Sequence, residues 1–316
     1  MENKISKSVI YFFSGTGNAR NVARWMKELF DKQAIATKIM AIDEPDQLIY
    51  PHELDAETLL GLCYPTHGFN APPIVWSFLK KVLKRNHRVF LINTRGGLKL
   101  QHWFIPGLSG LALLGPSIYL ISKGYRIHSL HSLDLPSNWL LLHPGLKANV
   151  VDSIYCRIKG ITKTLAMKLA HGKKSWKALY SLPIDIAMIP LVLGYMLIGR
   201  YAFSKTLMAT DRCNACMKCY RNCPVNAIHW VGDRPYWSVS CESCMRCVNQ
   251  CPERAIETAH GWLVFWSVLL SIAVYPIIRN VYPLLSIEPA IEPYAVFILE
   301  SVLYIGVLIL AYRLNH

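Results

Sequence analysis

A chain of 316 residues is long enough for two domains with real cores, and its 34 Lys and Arg against 20 Asp and Glu leave a formal charge of +14. Hydrophobic residues make up 53%, above the usual share of soluble domains, so the expected neighbours are nucleic acid or an anionic membrane surface. Eight of the ten cysteines sit between Cys213 and Cys251 at repeating short spacings, which speaks against disulfides and for metal ligation in a reducing cytosol. The apolar run at residues 9–13 is too short for the core of a signal peptide, so the N-terminus is expected in the cytosol.

That run, VIYFF, is continuous rather than alternating, as in a strand buried on both faces of a parallel sheet. Val22, Trp25, Met26 and Leu29 then recur at i, i+3, i+4, i+7, with Arg20, Arg24, Lys27 and Glu28 opposite, so an amphipathic helix follows. Further strands are expected at 35–40, 59–64 and 89–93. Between the last two lies a helix opened by Pro72 and Pro73, with Val75, Phe78, Leu79 and Val82 on one face. The alternation predicts a doubly wound α/β sheet.

Ligands of such sheets sit at the carboxyl ends of the strands. Three loops are expected to converge there: Ser14, Gly15, Thr16, Gly17, Asn18 and Ala19; then Pro65, Thr66, His67, Gly68, Phe69 and Asn70; then Thr94, Arg95, Gly96 and Gly97. The first offers backbone N–H groups at a helix N-terminus and the hydroxyls of Ser14 and Thr16. It lacks the third glycine of G-x-G-x-x-G and the Gly-Lys of a P-loop, which disfavours a dinucleotide or ATP. An ordinary Gly-rich turn is the competing reading.

In combination these loops resemble the flavodoxin family, whose Ser/Thr-x-Thr-Gly-x-Thr loop binds the phosphate of FMN. Residues 8 to about 130 are similar to that domain. The resemblance implies a flavodoxin-like parallel sheet, FMN as cofactor, the first loop at its monophosphate and the other two loops flanking the isoalloxazine ring. Ala19 stands where flavodoxins usually carry a hydroxyl residue, so either Arg20 compensates or flavin affinity is lower. Tyr64, His67 and Phe69 are the candidates to stack on the ring, and each is equally a core or loop residue.

Two cysteine runs, CNACMKCYRNCPVNAI from Cys213 and CESCMRCVNQCPERAI from Cys241, repeat at a spacing of 28. Both read C-x2-C-x2-C-x3-C-P, in which three thiolates occupy one cluster and the fourth is carried off to the other. On that rule Cys213, Cys216, Cys219 and Cys251 hold one [4Fe–4S] cluster, and Cys241, Cys244, Cys247 and Cys223 the second. Structural zinc is the rival, but it needs neither a third cysteine per run nor the proline. The region resembles the bacterial two-cluster ferredoxin, with GDRP around Gly232 as the turn between halves. A flavodoxin-like domain followed by such a module is similar to the fused flavodoxin–ferredoxin proteins, a resemblance that LDLPSNW at 133–139 shares. Cys63 and Cys156 read as ordinary thiols.

Downstream, residues 261–278 carry no charge and 294–312 carry only Glu300. Each is near the roughly 20 residues a bilayer span needs. Arg254 and Arg313 flank them, which predicts a transmembrane hairpin with both ends in the cytosol; a pair of buried helices is the alternative. Pro276 is expected to kink the first span near its outer end, and Glu300 is a functional carboxyl, a partner contact or an interfacial residue. The uncharged run 186–199 is short for a span and suits a buried or interfacial helix. Residues 157–177 hold seven Lys or Arg and no acid, interleaved with Ile161, Leu165, Met167, Leu169 and Trp176. No nucleic-acid module surrounds them, so nucleic acid is not an expected partner. A membrane-surface helix, or a solvated face docking an acidic redox partner, fits better.

The expected organisation is 1–150 flavodoxin-like, 151–208 connecting helices, 209–259 a small α+β ferredoxin domain with two [4Fe–4S] clusters, and 260–316 a membrane hairpin. The leading functional reading is an iron–sulfur flavoprotein oxidoreductase at the cytoplasmic face of the membrane, exchanging electrons with a quinone or a redox partner. The alternatives are a tethered ferredoxin-type carrier without its own small-molecule substrate, and a sensor or scaffold with an empty flavodoxin-like domain.

Overall fold

The computed structural model describes residues 5–138 and 145–259, with positions 268 and 272. The expected membrane hairpin, with Pro276 and Glu300, lies outside the described residues apart from Val268 and Ile272, as does Trp139. The chain divides into two compact units, Met1–Leu193 and Gly194–His316.

In the first unit, β1 (Lys7–Phe12), β2 (Ala36–Ala41), β3 (Leu59–Pro65), β4 (Arg88–Leu100) and β6 (Arg126–Pro136) are parallel neighbours in the order β2-β1-β3-β4-β6. A short β5 (Trp103–Ile105) turns back antiparallel on the end of β4. Counting the parallel strands alone, this is the 2-1-3-4-5 order of a flavodoxin-like doubly wound sheet. One face is covered by α1 (Asn18–Asp31) and α4 (Ala148–Ala170). Val22, Met26 and Phe30 of α1 share a core with Ile154, Ile158, Leu165 and Leu169 of α4 and with Ile10, Phe12, Phe90 and Ile92 of the strands. On the opposite face Tyr11 packs on Phe78 of α2 (Pro73–Lys81), 5.0 Å between ring centres, and α3 (Leu114–Ser122) lies beside α2.

The stretch 157–177 is therefore not a freestanding surface helix. Residues 157–170 belong to α4, and Leu165 and Leu169 are buried in the sheet core. The reason is topological: the sheet face beside α1 needs a second helix, and α4 supplies it. All seven basic side chains of the stretch remain exposed.

The first four parallel strands lie where periodicity places them, whereas β6 is disguised by the His and Ser that alternate with its apolar residues. Two of those polar side chains, Ser129 and His131, are satisfied by one loop residue. Ser129 Oγ and Leu130 N donate to the Ser175 carbonyl at 2.8 and 3.0 Å, and His131 Nε2 meets Ser175 Oγ at 2.8 Å. Burial lowers the His131 pKa to about 4, with Lys177 and Lys168 adding to the shift. Between that value and about 6.5 the unfolded chain takes up a proton that the folded one refuses. Stability is thus complete above pH 6.5 and falls as the pH drops towards 4, by roughly 3 kcal/mol from this group. The expected outcome for His131→Gln is a shallower fall of Tm between pH 7 and 4.5, measured by thermal unfolding.

In the chain after β6, α5 (Leu182–Ala187) and α6 (Ile189–Gly194) follow α4, and Tyr195–Gly199 forms one π-helical turn. Among the described residues no single helix is long and apolar enough to cross a membrane. One bent pair, Lys177–Ala187 with Ile189–Leu197 at 72°, passes by length and composition. In the second unit, α7 (Arg200–Ser204) leads into β7 (Leu207–Ala209), which pairs antiparallel with β10 (Ile256–Thr258). Between them come α8 (Lys218–Arg221), the hairpin of β8 (Ile228–Val231) with β9 (Arg234–Trp237), and α9 (Arg246–Gln250). The hairpin turns at Gly232 and Asp233, as the GDRP reading expects.

Candidate functional site

The first loop follows β1 without a break. Ser14 Oγ accepts the Gly17 N–H at 3.0 Å, and Gly17 takes a left-handed φ of 102° as α1 begins. The helix has no side-chain cap and no acid in its first turn, so its N–H groups and dipole are available to an anion. Three residues outside the loop fix it. Asn138 Nδ2 donates to Thr16 Oγ1 at 2.9 Å, Asn18 Nδ2 donates to the Pro136 carbonyl at 2.9 Å, and the Tyr155 hydroxyl donates to Asn18 Oδ1 at 2.7 Å. Because Thr16 Oγ1 accepts from Asn138, its own proton is left to donate. These donors fit a phosphate. Ala19 is fully buried and brings none; Arg20 lines a recess with Phe12, Arg24, Ile39 and Glu44 on the β2 side.

The second loop is a tight turn. His67 and Asn70 exchange backbone hydrogen bonds at 2.9 and 3.0 Å around Gly68 and Phe69, both left-handed at φ 51° and 62°. A Phe held there is strained, which marks the turn as a candidate for function. Thr66 N donates to the Thr94 carbonyl at 2.8 Å, and Asn93 Nδ2 reaches Thr66 Oγ1 at 2.7 Å. Tyr64 leaves the set of stacking candidates, because it is fully buried with its hydroxyl on the Ala112 carbonyl at 2.8 Å. His67 stands edge-on to Phe13, with ring centres 6.2 Å apart, and burial lowers its pKa to about 4, so it is neutral at pH 7.

Thr94 to Gly97 form no loop. They continue β4, pairing Thr94 with Leu133, Arg95 with Asp134, Gly96 with Leu135 and Gly97 with Pro136. A Cβ on Gly97 would stand 2.7 Å from that of Asp134, so here glycine serves close strand approach rather than a turn. Arg95 Nε donates to Asp134 Oδ1 at 2.7 Å and its Nη1 reaches Ser109 Oγ at 3.2 Å. The Gly107 N–H also donates to Asp134 Oδ1, at 2.9 Å. Asp134→Ala is expected to cost about 2 kcal/mol, because it removes the charged acceptor of a part-buried guanidinium, read as a lower urea midpoint. Asp134, Asn138, Ser109 and Tyr155 were not singled out from the sequence. The first two lie in or beside the LDLPSNW stretch, which was the available signal.

The cysteine repeat is also a conformational repeat. Ala215, Met217 and Asn226 are left-handed in the first run, and Ser243, Met245 and Arg254, each 28 residues on, are left-handed in the second. Alternating hands turn successive N–H groups toward one point, the concavity that iron–sulfur sites exploit. Accordingly Ala227 N donates to Cys223 Sγ at 3.2 Å and Ala255 N to Cys251 Sγ at 3.3 Å, while Ser243 N meets Cys241 Sγ at 3.4 Å.

Among the described residues no three His, Cys, Asp or Glu side chains stand close enough to hold one metal ion. What Cys223, Cys241, Cys244 and Cys247 share is a cavity, walled by Leu207, Ile228, Trp237 and Met245. Burial pushes the Cys241 and Cys244 thiols up to about 12 and about 11, and Cys247 well above its ordinary value. Such thiols become thiolates only when positive charge enters with them, as iron supplies. Asn222 Nδ2 donates to Gln250 Oε1 at 3.0 Å and α8 lies beside α9, so the two runs face one another. The donor set fits iron–sulfur ligation.

The family model of a 4Fe-4S binding domain matches residues 209–229, which cover the first cysteine run. No curated protein matches the chain in sequence. Among solved structures, the flavodoxin of Streptococcus pneumonia TIGR4 is 15% identical, over 51% of this chain and 99% of its own, with a TM-score of 0.34. A flavodoxin from the domain Archaea is 11% identical, over 51% and 97%, at 0.33. General stress protein 14 of Treponema denticola, solved in complex with FMN, is 10% identical, over 52% and 99%, at 0.32. It is the strand order that defines the sheet here as flavodoxin-like. The chain thus carries a flavodoxin-like domain followed by a 4Fe-4S binding domain.

Proposed function

We propose that the protein is an iron–sulfur flavoprotein that exchanges electrons between FMN and two [4Fe–4S] clusters at the cytoplasmic face of a membrane, with a quinone or a redox protein as external partner. The observation that carries the reading is the cavity shared by Cys223 of the first run and three cysteines of the second, because crossed ligation is the mark of a two-cluster module. A flavin exchanges electrons singly or in pairs and each cluster one at a time, so one chain holding both joins two-electron chemistry to single-electron transfer. Toward the flavin, the chain contributes the uncapped start of α1, the Thr16 hydroxyl and the strained Phe69 turn. Toward the clusters, it contributes eight thiolates, backbone N–H donors to sulfur, and apolar walls that limit solvent. Membrane anchoring is supported by the composition of residues 261–278 and 294–312.

The test is anaerobic purification in mild detergent, with flavin and iron quantified and stepwise reduction followed by EPR. About one FMN and about eight irons per chain are expected, with cluster signals developing as the flavin is reduced. About eight irons without flavin would leave a tethered ferredoxin-type carrier.

A further inference from the structure

We propose that the segment from Leu179 to Leu193 seats the flavodoxin-like domain on an anionic lipid bilayer, with α5 and α6 lying in the interface; this rests on the membrane reading above and names the surface that makes the contact. Leu179, Tyr180, Ile184, Ile186, Leu191 and Leu193 are 40–88% exposed, an apolar run on the surface of a folded unit that no soluble domain gains by showing to water. Between Lys177 and Arg200 the only charged residue is Asp185, and it is turned inward.

Asp185 is also what makes the surface a built one. Buried to 5% exposure, its Oδ1 accepts the Gly110 N–H at 2.9 Å and its Oδ2 the Ser181 hydroxyl at 2.8 Å. Val192 is fully buried, so α5 and α6 are each pinned from inside while their outer side chains stay bare. Gly110 lies between Ser109, which holds Arg95, and Leu111, whose N–H binds the Phe69 carbonyl at 2.9 Å. The apolar face is thereby tied to the turn at the carboxyl edge of the sheet, where the flavin is expected.

Charge selects the occupant. Exposed Lys177 leads into the apolar face, and the six exposed basic residues that precede it in the chain, from Arg157 on, are interrupted by no acid. An apolar face bordered by a one-signed basic stretch matches a bilayer with anionic headgroups, where apolar burial and polybasic attraction act together.

The full chain is reconstituted in vesicles of phosphatidylcholine with phosphatidylglycerol, carrying a diazirine analogue of leucine at position 184 or 191. A third sample carries it at position 118, on α3, where Ile118 is also exposed. After illumination, lipid adducts are expected at 184 and 191, falling several-fold when phosphatidylglycerol is omitted, with position 118 at background. Adducts to peptides of residues 260–316 would show the chain's own C-terminal segment on this face and overturn the proposal. So would equal labelling at 118, or absence of lipid adducts in protein that co-floats with the vesicles. Failure to co-float at all would defeat the anchoring reading and this one with it.

Discussion

Replacing Cys223 with Ser is expected to remove the cluster of the second cysteine run and leave that of its own run in place. Cys223 sits in the first run, but Pro224 follows it, and it lines the cavity of Cys241, Cys244 and Cys247. Serine keeps the size of the side chain and loses the thiolate, so the iron per chain should fall from about eight to about four. The assignment is decided by pairing variants. Cys223→Ser with Cys244→Ser should cost no more iron than either alone, since both empty one site. Cys223→Ser with Cys216→Ser should lose nearly all of it. If each run held its own cluster the two results would be exchanged, because Cys216 and Cys223 would then be partners. Non-additivity of this kind reports a shared site whatever the stability of the separate variants. Loss of the cluster also leaves buried thiols that iron no longer compensates, so the second unit should melt earlier in the Cys223→Ser protein.

What could be read beforehand follows from how far apart the interacting residues are. Strands β1 to β4 and helix α1 are marked by local periodicity, and cysteine spacing is local too, so these were legible. β6 was not, because Ser129 and His131 look like solvent-facing positions until Ser175, more than forty residues on, takes up their hydrogen bonds. The same holds for the loop. Its glycine and hydroxyls announce a phosphate cradle, but the groups that stiffen it, Asn138 and Tyr155, lie more than 120 residues away. Thr94 to Gly97 misled for a different reason. A Gly pair reads as a turn, whereas here it lets β4 run close against Asp134. Lysine-rich α4 is ambiguous in composition, since a basic amphipathic helix has one pattern whether its apolar stripe meets lipid or a sheet. The left-handed residues of the cysteine runs had no signal, because none of them is glycine.

The flavin site turns on Gly17. Its φ of 102° is costly for any residue with a Cβ, by about 1–2 kcal/mol, and a β-branched side chain lies at the upper end. A Cβ built there has nothing within 4 Å, so the cost of Gly17→Val is conformational and not a clash. The variant can pay it or relax to negative φ. Relaxation turns the Gly17 N–H away from Ser14 and re-aims the N–H groups at the start of α1, where the phosphate is expected. In the relaxed form FMN must restore the strained φ to bind, so it should bind about tenfold more weakly, since 1.4 kcal/mol is a factor of ten. The domain should still fold, because that cost is a fraction of ordinary stability. Asn tolerates the left-handed region, so Gly17→Asn should fall between wild type and Gly17→Val. Fluorescence titration of FMN into flavin-stripped protein measures the series. Equal affinity across all three would mean that this loop does not hold the phosphate, whereas the graded order ties flavin binding to one backbone angle.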